Sequence, residues 1–192
     1  NKMDRVGADF AASVSSIRSR LRATPAVVQL PVGAEDRFRG VIDLVEQRQI
    51  IWDQETLGAK FHFEPVPADR EDEVRAARDA LFDVVAECDP EVERKYLEGE
   101  DVSVEELRRA VRKACLDLKA FPVLCGASFK NKGVQPLLDA AIHYLPSPID
   151  ARHGDAKRIG HDDTVPVTAD PDGPFIALAF KIMTDPYVGN LT

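Results

Sequence analysis

Cysteine is scarce in this chain, with Cys88, Cys115 and Cys125 the three in 192 residues. An odd count without close pairing excludes a disulfide framework and a zinc knuckle, and each cysteine lies in an apolar pattern, which predicts buried free thiols. The four histidines, His62, His143, His153 and His161, show no metal-ligand periodicity. No apolar run approaches the roughly 20 residues needed to cross a bilayer, and the first residues do not read as a secretory leader. The expected compartment is therefore the cytoplasm, with no membrane as partner. Positive charge is also short: 25 Lys and Arg against 33 Asp and Glu give a net −8. That argues against a broad basic surface on nucleic acid while leaving room for local patches. Nowhere does Gly-x-x-x-x-Gly-Lys-Ser/Thr occur, so nothing here cradles phosphates, holds magnesium or orients an attacking water, and no catalytic residue is assigned.

What is present begins at Asn1-Lys2-Met3-Asp4. A carboxylate offers two acceptors in one plane, and guanine matches them with a ring N–H and an exocyclic amine. Adenine would leave the carboxylate unpaired, at a cost that discriminates between the bases. In this reading Asp4 reads the base, Lys2 lays its stem and charge along one face of the ring, and Asn1 ties the loop to its neighbours. A second stretch, Gly126-Ala127-Ser128-Phe129-Lys130-Asn131-Lys132-Gly133, follows the apolar run Phe121 to Cys125 and precedes a helical pattern from Gln135 to Leu145. Strand, small-residue loop and helix in that order suit a doubly wound α/β domain, whose ligands lie at the carboxyl ends of strands. Backbone N–H groups of such a loop can reach the 6-oxo group of guanine. Together the stretches favour a guanine-nucleotide site, formed by Asn1, Lys2, Met3, Asp4, Ala127, Ser128 and Phe129, over a pair of ordinary surface loops.

Between these stretches, Asp9 is placed to cap a helix with a core-facing stripe of Phe10, Val14, Ile17 and Leu21, ended by Pro25. Short β-rich runs follow at Val27–Leu30, Val41–Val45, Gln49–Trp52 and Phe61–Phe63, with turn signals at Pro31-Val32-Gly33, Arg39-Gly40 and Leu57-Gly58. They predict a small antiparallel sheet that must pack on helices. Val74, Ala77, Leu81, Val84, Val85 and Cys88 form one helical stripe, ended by Pro90, and a short segment from Val92 to Leu97 closes at Gly99. Ser103 and Glu106 form a capping box for a third helix with Leu107, Ala110, Val111, Ala114 and Leu118 on its apolar face. On its other side Arg108 and Arg112, and Arg109 and Lys113, are like-charged i,i+4 pairs. They form either a solvated face or a surface for a partner. Pro146-Ser147-Pro148 stops the last helix and opens a polar linker. Phe175 to Met183 then reads as a strand with a turn at Asp185-Pro186.

Asn-Lys-Met-Asp-Arg from Asn1, Gly-Val-Ile-Asp-Leu from Gly40, Lys-Tyr-Leu-Glu-Gly-Glu from Lys95 and Phe-Lys-Asn-Lys-Gly-Val-Gln from Phe129 resemble bacterial elongation factor G. So do Tyr-Leu-Pro-Ser-Pro from Tyr144 and Ala-Phe-Lys-Ile-Met from Ala179. The resemblance runs over essentially the whole chain. It implies an α/β fold: the C-terminal part of a P-loop-type GTPase domain over residues 1–149, with an inserted α+β subdomain at about 27–120. A linker over 150–172 and the first strands of a β-barrel domain over 173–192 would follow. It further implies GTP and GDP as ligands, Mg2+ bound outside this chain, and an internal piece of a longer monomeric protein that does not hydrolyse GTP unaided. The implied activity is GTP-dependent ribosomal translocation of tRNA and mRNA. The implied partners are rRNA and the acidic stalk protein of the large subunit, the latter facing Arg108, Arg109, Arg112 and Lys113. A ribosome-recycling or ribosome-protection relative, and an interaction module without turnover, share these motifs. One departure stands out. The family usually has Ser then Ala in the second loop, where this chain has Ala127 then Ser128.

Overall fold

The computed structural model describes residues 1–53, 58–151 and 154–191. The chain forms two compact units, Asn1–Leu145 and Pro146–Thr192.

In the first unit, Asp9 caps α1 (Phe10–Leu21) by accepting the Ala12 N–H at 2.8 Å, which satisfies a donor that a helix start leaves open. The stripe on α1 is not the core-facing surface that its spacing predicts. Phe10, Val14 and Ile17 are half-buried and Leu21 is 72% exposed, because the chain turns away through left-handed Arg22 before burial resumes at Pro25.

The extended stretch after α1 serves two sheets. β1 (Pro25–Val27) runs parallel to β6 (Phe121–Val123), with Pro25 opposite Phe121. β2 (Gln29–Val32) then opens an antiparallel sheet with β3 (Gly40–Asp43), β4 (Arg48–Trp52) and β5 (Phe61–Pro65), in the order β2-β3-β4-β5. Val28 makes the join: its N–H donates to the Val123 carbonyl at 3.1 Å and its own carbonyl accepts the Leu44 N–H at 2.9 Å. The single strand predicted over Val27–Leu30 is thus divided. Pro31 and Val32, predicted in a turn, complete β2. The turn starts at Gly33, where φ is +79° and a Cβ would meet the Arg37 carbonyl at 2.1 Å. Of the predicted Leu57-Gly58 turn, Leu57 lies outside the described residues, as does His153 further on.

Three helices cover this sheet: α2 (Glu71–Val85), α3 (Pro90–Glu98) and α4 (Val104–Leu116). Val28, Leu30, Ile42, Leu44 and Val45 pack with Leu81, Phe82, Val85, Leu107, Ala110 and Val111 in one core, and the Phe82 and Tyr96 rings stack at 4.9 Å. Pro90 does not end the second helix; it is the first residue of α3, where a missing N–H costs nothing, and Asp89 caps it. The capping box holds at α4, with Glu106 N–H to Ser103 Oγ at 3.3 Å and Ser103 N–H to Glu106 Oε2 at 2.9 Å. Leu118 leaves the apolar face, since α4 has ended and its own φ is 56°. β6 leads through a loop and a single 3₁₀ turn to α5 (Val134–Tyr144).

The second unit holds two hairpins, β7 (Asp155–Lys157) with β8 (Thr164–Pro166), and β9 (Met183–Asp185) with β10 (Gly189–Leu191). The segment predicted as a plain linker therefore contains a strand pair. The run from Phe175 to Ile182 is not a strand. Phe175, Leu178, Phe180 and Ile182 are exposed, because an extended run becomes a strand only against a partner and none of the described residues pairs with it.

Candidate functional site

The first four residues and the loop after β6 lie side by side, although 127 positions separate Asn1 from Ser128. Asn1 joins them: its Nδ2 donates to Ser128 Oγ at 3.0 Å, and its Oδ1 accepts the Ser128 N–H at 3.1 Å and the Lys2 N–H at 2.7 Å. The Met3 N–H adds a backbone bond to the Gly126 carbonyl at 3.1 Å. Asp4, half-buried, has Lys130 Nζ at 3.8 Å from Oδ2. Lys2 is exposed and left-handed at φ 64°, so its side chain stands clear of the core beside Asp4.

The remaining residues assigned to the site divide between core and solvent. Met3 is buried with Phe38, Val41, Ile50, Trp52, Cys125 and Ala127, so its side chain anchors the loop. Ala127 is fully buried in the same cluster, and its N–H donates to the Lys132 carbonyl at 2.8 Å. Phe129 is 96% exposed. The N–H groups of Ala127 and Ser128 are thus donated within the protein, to the Lys132 carbonyl and to Asn1 Oδ1. The Ala127-Ser128 order is accommodated in a definite way: a methyl group fills the apolar cluster and the hydroxyl next to it holds the Asn1 amide. A hydroxyl at position 127 would instead be buried among apolar side chains.

The loop is narrow by necessity. A Cβ at Gly126 would meet the Lys132 carbonyl at 2.7 Å, and one at Gly133, where φ is +84°, would meet the Cys125 carbonyl at 2.8 Å. Sequence reasoning missed Lys132, whose buried ammonium donates to the Phe38 carbonyl at 2.9 Å. Burial first, and the nearby Lys130 charge second, push its pKa down. The available signal is the Lys-Asn-Lys run, which by itself reads only as a family signature.

The basic side of α4 is spent within the chain. Arg109 Nε and Lys113 Nζ meet Asp89 Oδ2 at 2.8 and 2.9 Å, and Arg109 also reaches Glu91 at 2.8 Å. Arg108 pairs with Glu46 at 2.8 Å, and Arg112 donates to the carbonyls of His143 and Leu145 at the end of α5. This is neither a free solvated face nor an open patch: the four cations fasten α4 to α3, to the turn after β3 and to α5.

The two loops converge through the Asn1–Ser128 contacts, and the sequence contains no Gly-x-x-x-x-Gly-Lys-Ser/Thr. Among the described residues no group of three or more Asp, Glu, His or Cys side chains is placed to hold a metal.

A family model described as elongation factor Tu GTP binding domain matches residues 1–147. Among solved structures, a crystal structure of a protein from Thermus thermophilus is similar, with 27% identity and a TM-score of 0.71. The match covers 96% of this chain and 24% of that one, so the chain spans about a quarter of that protein's length.

Proposed function

Because the chain belongs to the elongation factor Tu GTP binding domain family, a family of translational GTPases that bind guanine nucleotides, we propose that it is the base-reading part of an elongation factor G. In the longer protein it would select GTP and GDP, with Mg2+ and the hydrolytic residues supplied from elsewhere. The whole would drive movement of tRNA and mRNA through the ribosome in the cytoplasm as a monomer, contacting rRNA and the acidic stalk protein. The observation that carries the reading is the clasp of Asn1 on Ser128, which sets Asp4 beside the second loop. An acidic partner at Arg108, Arg109, Arg112 and Lys113 would have to compete with Glu46, Asp89 and Glu91. The domain plan that goes with this reading is a GTPase domain to residue 149, interrupted at about 27–120, then a connecting segment over 150–172 that carries the β7–β8 hairpin, and a β-barrel from 173.

The test is a change of base preference. Asp4→Asn exchanges an acceptor for a donor, so in the full-length protein GTP affinity should fall by about tenfold or more while xanthosine triphosphate, whose 2-oxo group accepts, gains. A mutant that keeps its preference for GTP refutes the role given to Asp4. The present chain alone should show no GTP turnover, and hydrolysis above a buffer control refutes that.

A further inference from the structure

The loop that carries Asp4 is held from a side that base recognition does not use. The Met3 carbonyl accepts the Glu35 N–H at 2.7 Å, and the Glu35 carboxylate accepts the Gly7 N–H at 2.7 Å, so one residue grips the loop on both sides of Asp4. Glu35 does this from the turn between β2 and β3 with φ at 58°, a region costly for a side chain with a Cβ and kept only where surrounding contacts impose it. Three residues further on, the Phe38 carbonyl takes the Lys132 ammonium, which comes from the second loop. Trp52 Nε1 donates to Gln135 Oε1 at 3.3 Å, and Gln135 Nε2 donates to the Gly58 carbonyl at 3.3 Å. Met3, Cys125 and Ala127 share a buried cluster with Phe38, Val41, Ile50 and Trp52. Both base-reading loops are therefore seated on the antiparallel sheet, each by a polar tie and by a common apolar floor.

We infer that Glu35 and Lys132 are positioning residues for base selection: the β2-to-β5 sheet is the template that sets the spacing between Asp4 and Ser128, and these two side chains transmit it. The inference rests on the guanine reading above. Discrimination between bases that differ by one amine depends on the carboxylate's placement to a fraction of an ångström, so slackening either tie should cost selectivity before it costs binding as such.

The experiment compares GDP with inosine diphosphate, which lacks the 2-amine, by competition against a fluorescent GDP on the full-length protein, with melting temperature measured in parallel. Lys132→Met keeps the buried stem and removes the ammonium; Glu35→Ala removes the carboxylate from a half-buried site and leaves the core intact. Each is expected to narrow the GDP-to-IDP affinity ratio by about fivefold, mostly through GDP. Glu35→Gln, whose amide oxygen can still accept from Gly7, should restore it. Asp4→Asn serves as the reference and should abolish the ratio. A lowered melting temperature with an unchanged ratio in both variants overturns the positioning role. Should Lys132→Met fail to fold, an unchanged ratio in Glu35→Ala alone does so. A wild-type protein with no preference for GDP over IDP refutes the guanine reading itself, a result distinguishable from the first.

Discussion

Asp89 is a buried charge in the first unit, and its removal can be worked through. It is 1% exposed, yet Oδ2 meets Arg109 and Lys113 and Oδ1 accepts the Glu91 N–H at the start of α3. Burial alone would raise its pKa; the hydrogen bonds from Arg109 and Lys113 outweigh burial and bring it from 3.8 to about 2. That difference corresponds to about 2 kcal/mol of stability. The two cations are 41% and 44% exposed, so solvent screening reduces it to about 1–2 kcal/mol. Asp89→Asn removes the charge, preserves the shape and can still cap, and its orphaned cations can turn to water. Asp89→Ala also loses the cap, for about 1 kcal/mol more. The assay is urea unfolding at low salt, read from Trp52, the single tryptophan, which ends β4 and is buried with Phe38, Val41 and Cys125. Since the folded-state pKa is depressed, the stabilisation is complete above about pH 4 and fades as pH falls through about 2. Wild type should therefore exceed the Asn variant by about 1–2 kcal/mol at pH 7, with the gap closing between pH 4 and pH 2. A gap below about 0.5 kcal/mol at pH 7, or one indifferent to pH, refutes the reasoning.

Other outcomes follow from the same geometry. Ser128→Ala frees the Asn1 amide and should weaken guanine nucleotide binding about fivefold in the full-length protein, measured by calorimetry; an unchanged Kd would show that the clasp is dispensable. Ser103→Ala breaks the capping box at α4 and should cost about 1 kcal/mol in urea unfolding, with loss within error counting against it. Burial pushes the Cys125 thiol up to about 12, whereas Cys88 is only half-buried. An aromatic disulfide reagent at pH 8 should thus label Cys88 first and reach Cys125 only on unfolding, which mass spectrometry of the labelled peptides can check.

Features decided within one turn of chain were legible in the sequence. The Ser103–Glu106 box and the Asp9 cap are contests between a side chain and its own neighbouring N–H groups, so three or four residues suffice to state them. Features decided by a partner elsewhere were not. Pro90 could stop one helix or begin the next, and which it does depends on Asp89, whose conformation is held by cations about twenty residues away. The run from Phe175 has the alternation of a strand, but alternation supplies no neighbour to bond with. At the candidate site, the Asn1 and Ser128 stretches could be picked out by their motifs, and the structure joins them. Glu35 and Lys132 could not, since their partners are main-chain atoms that any residue would provide. The like-charged pairs on α4 misled for the same reason: their counter-charges, Glu46 and Asp89, lie 62 and 20 positions from Arg108 and Arg109.

The parallel pairing of Pro25–Val27 with Phe121–Val123 limits how the molecule can be shortened. Parallel neighbours cannot be linked by a tight hairpin turn; the chain must travel back along the strands, which takes about a dozen residues or more. Everything from 28 to 120 acts, in that sense, as one greatly enlarged return path. An engineer wishing to excise it would have to leave a replacement long enough to make the journey, and would at the same stroke strip the floor from beneath Met3 and Ala127.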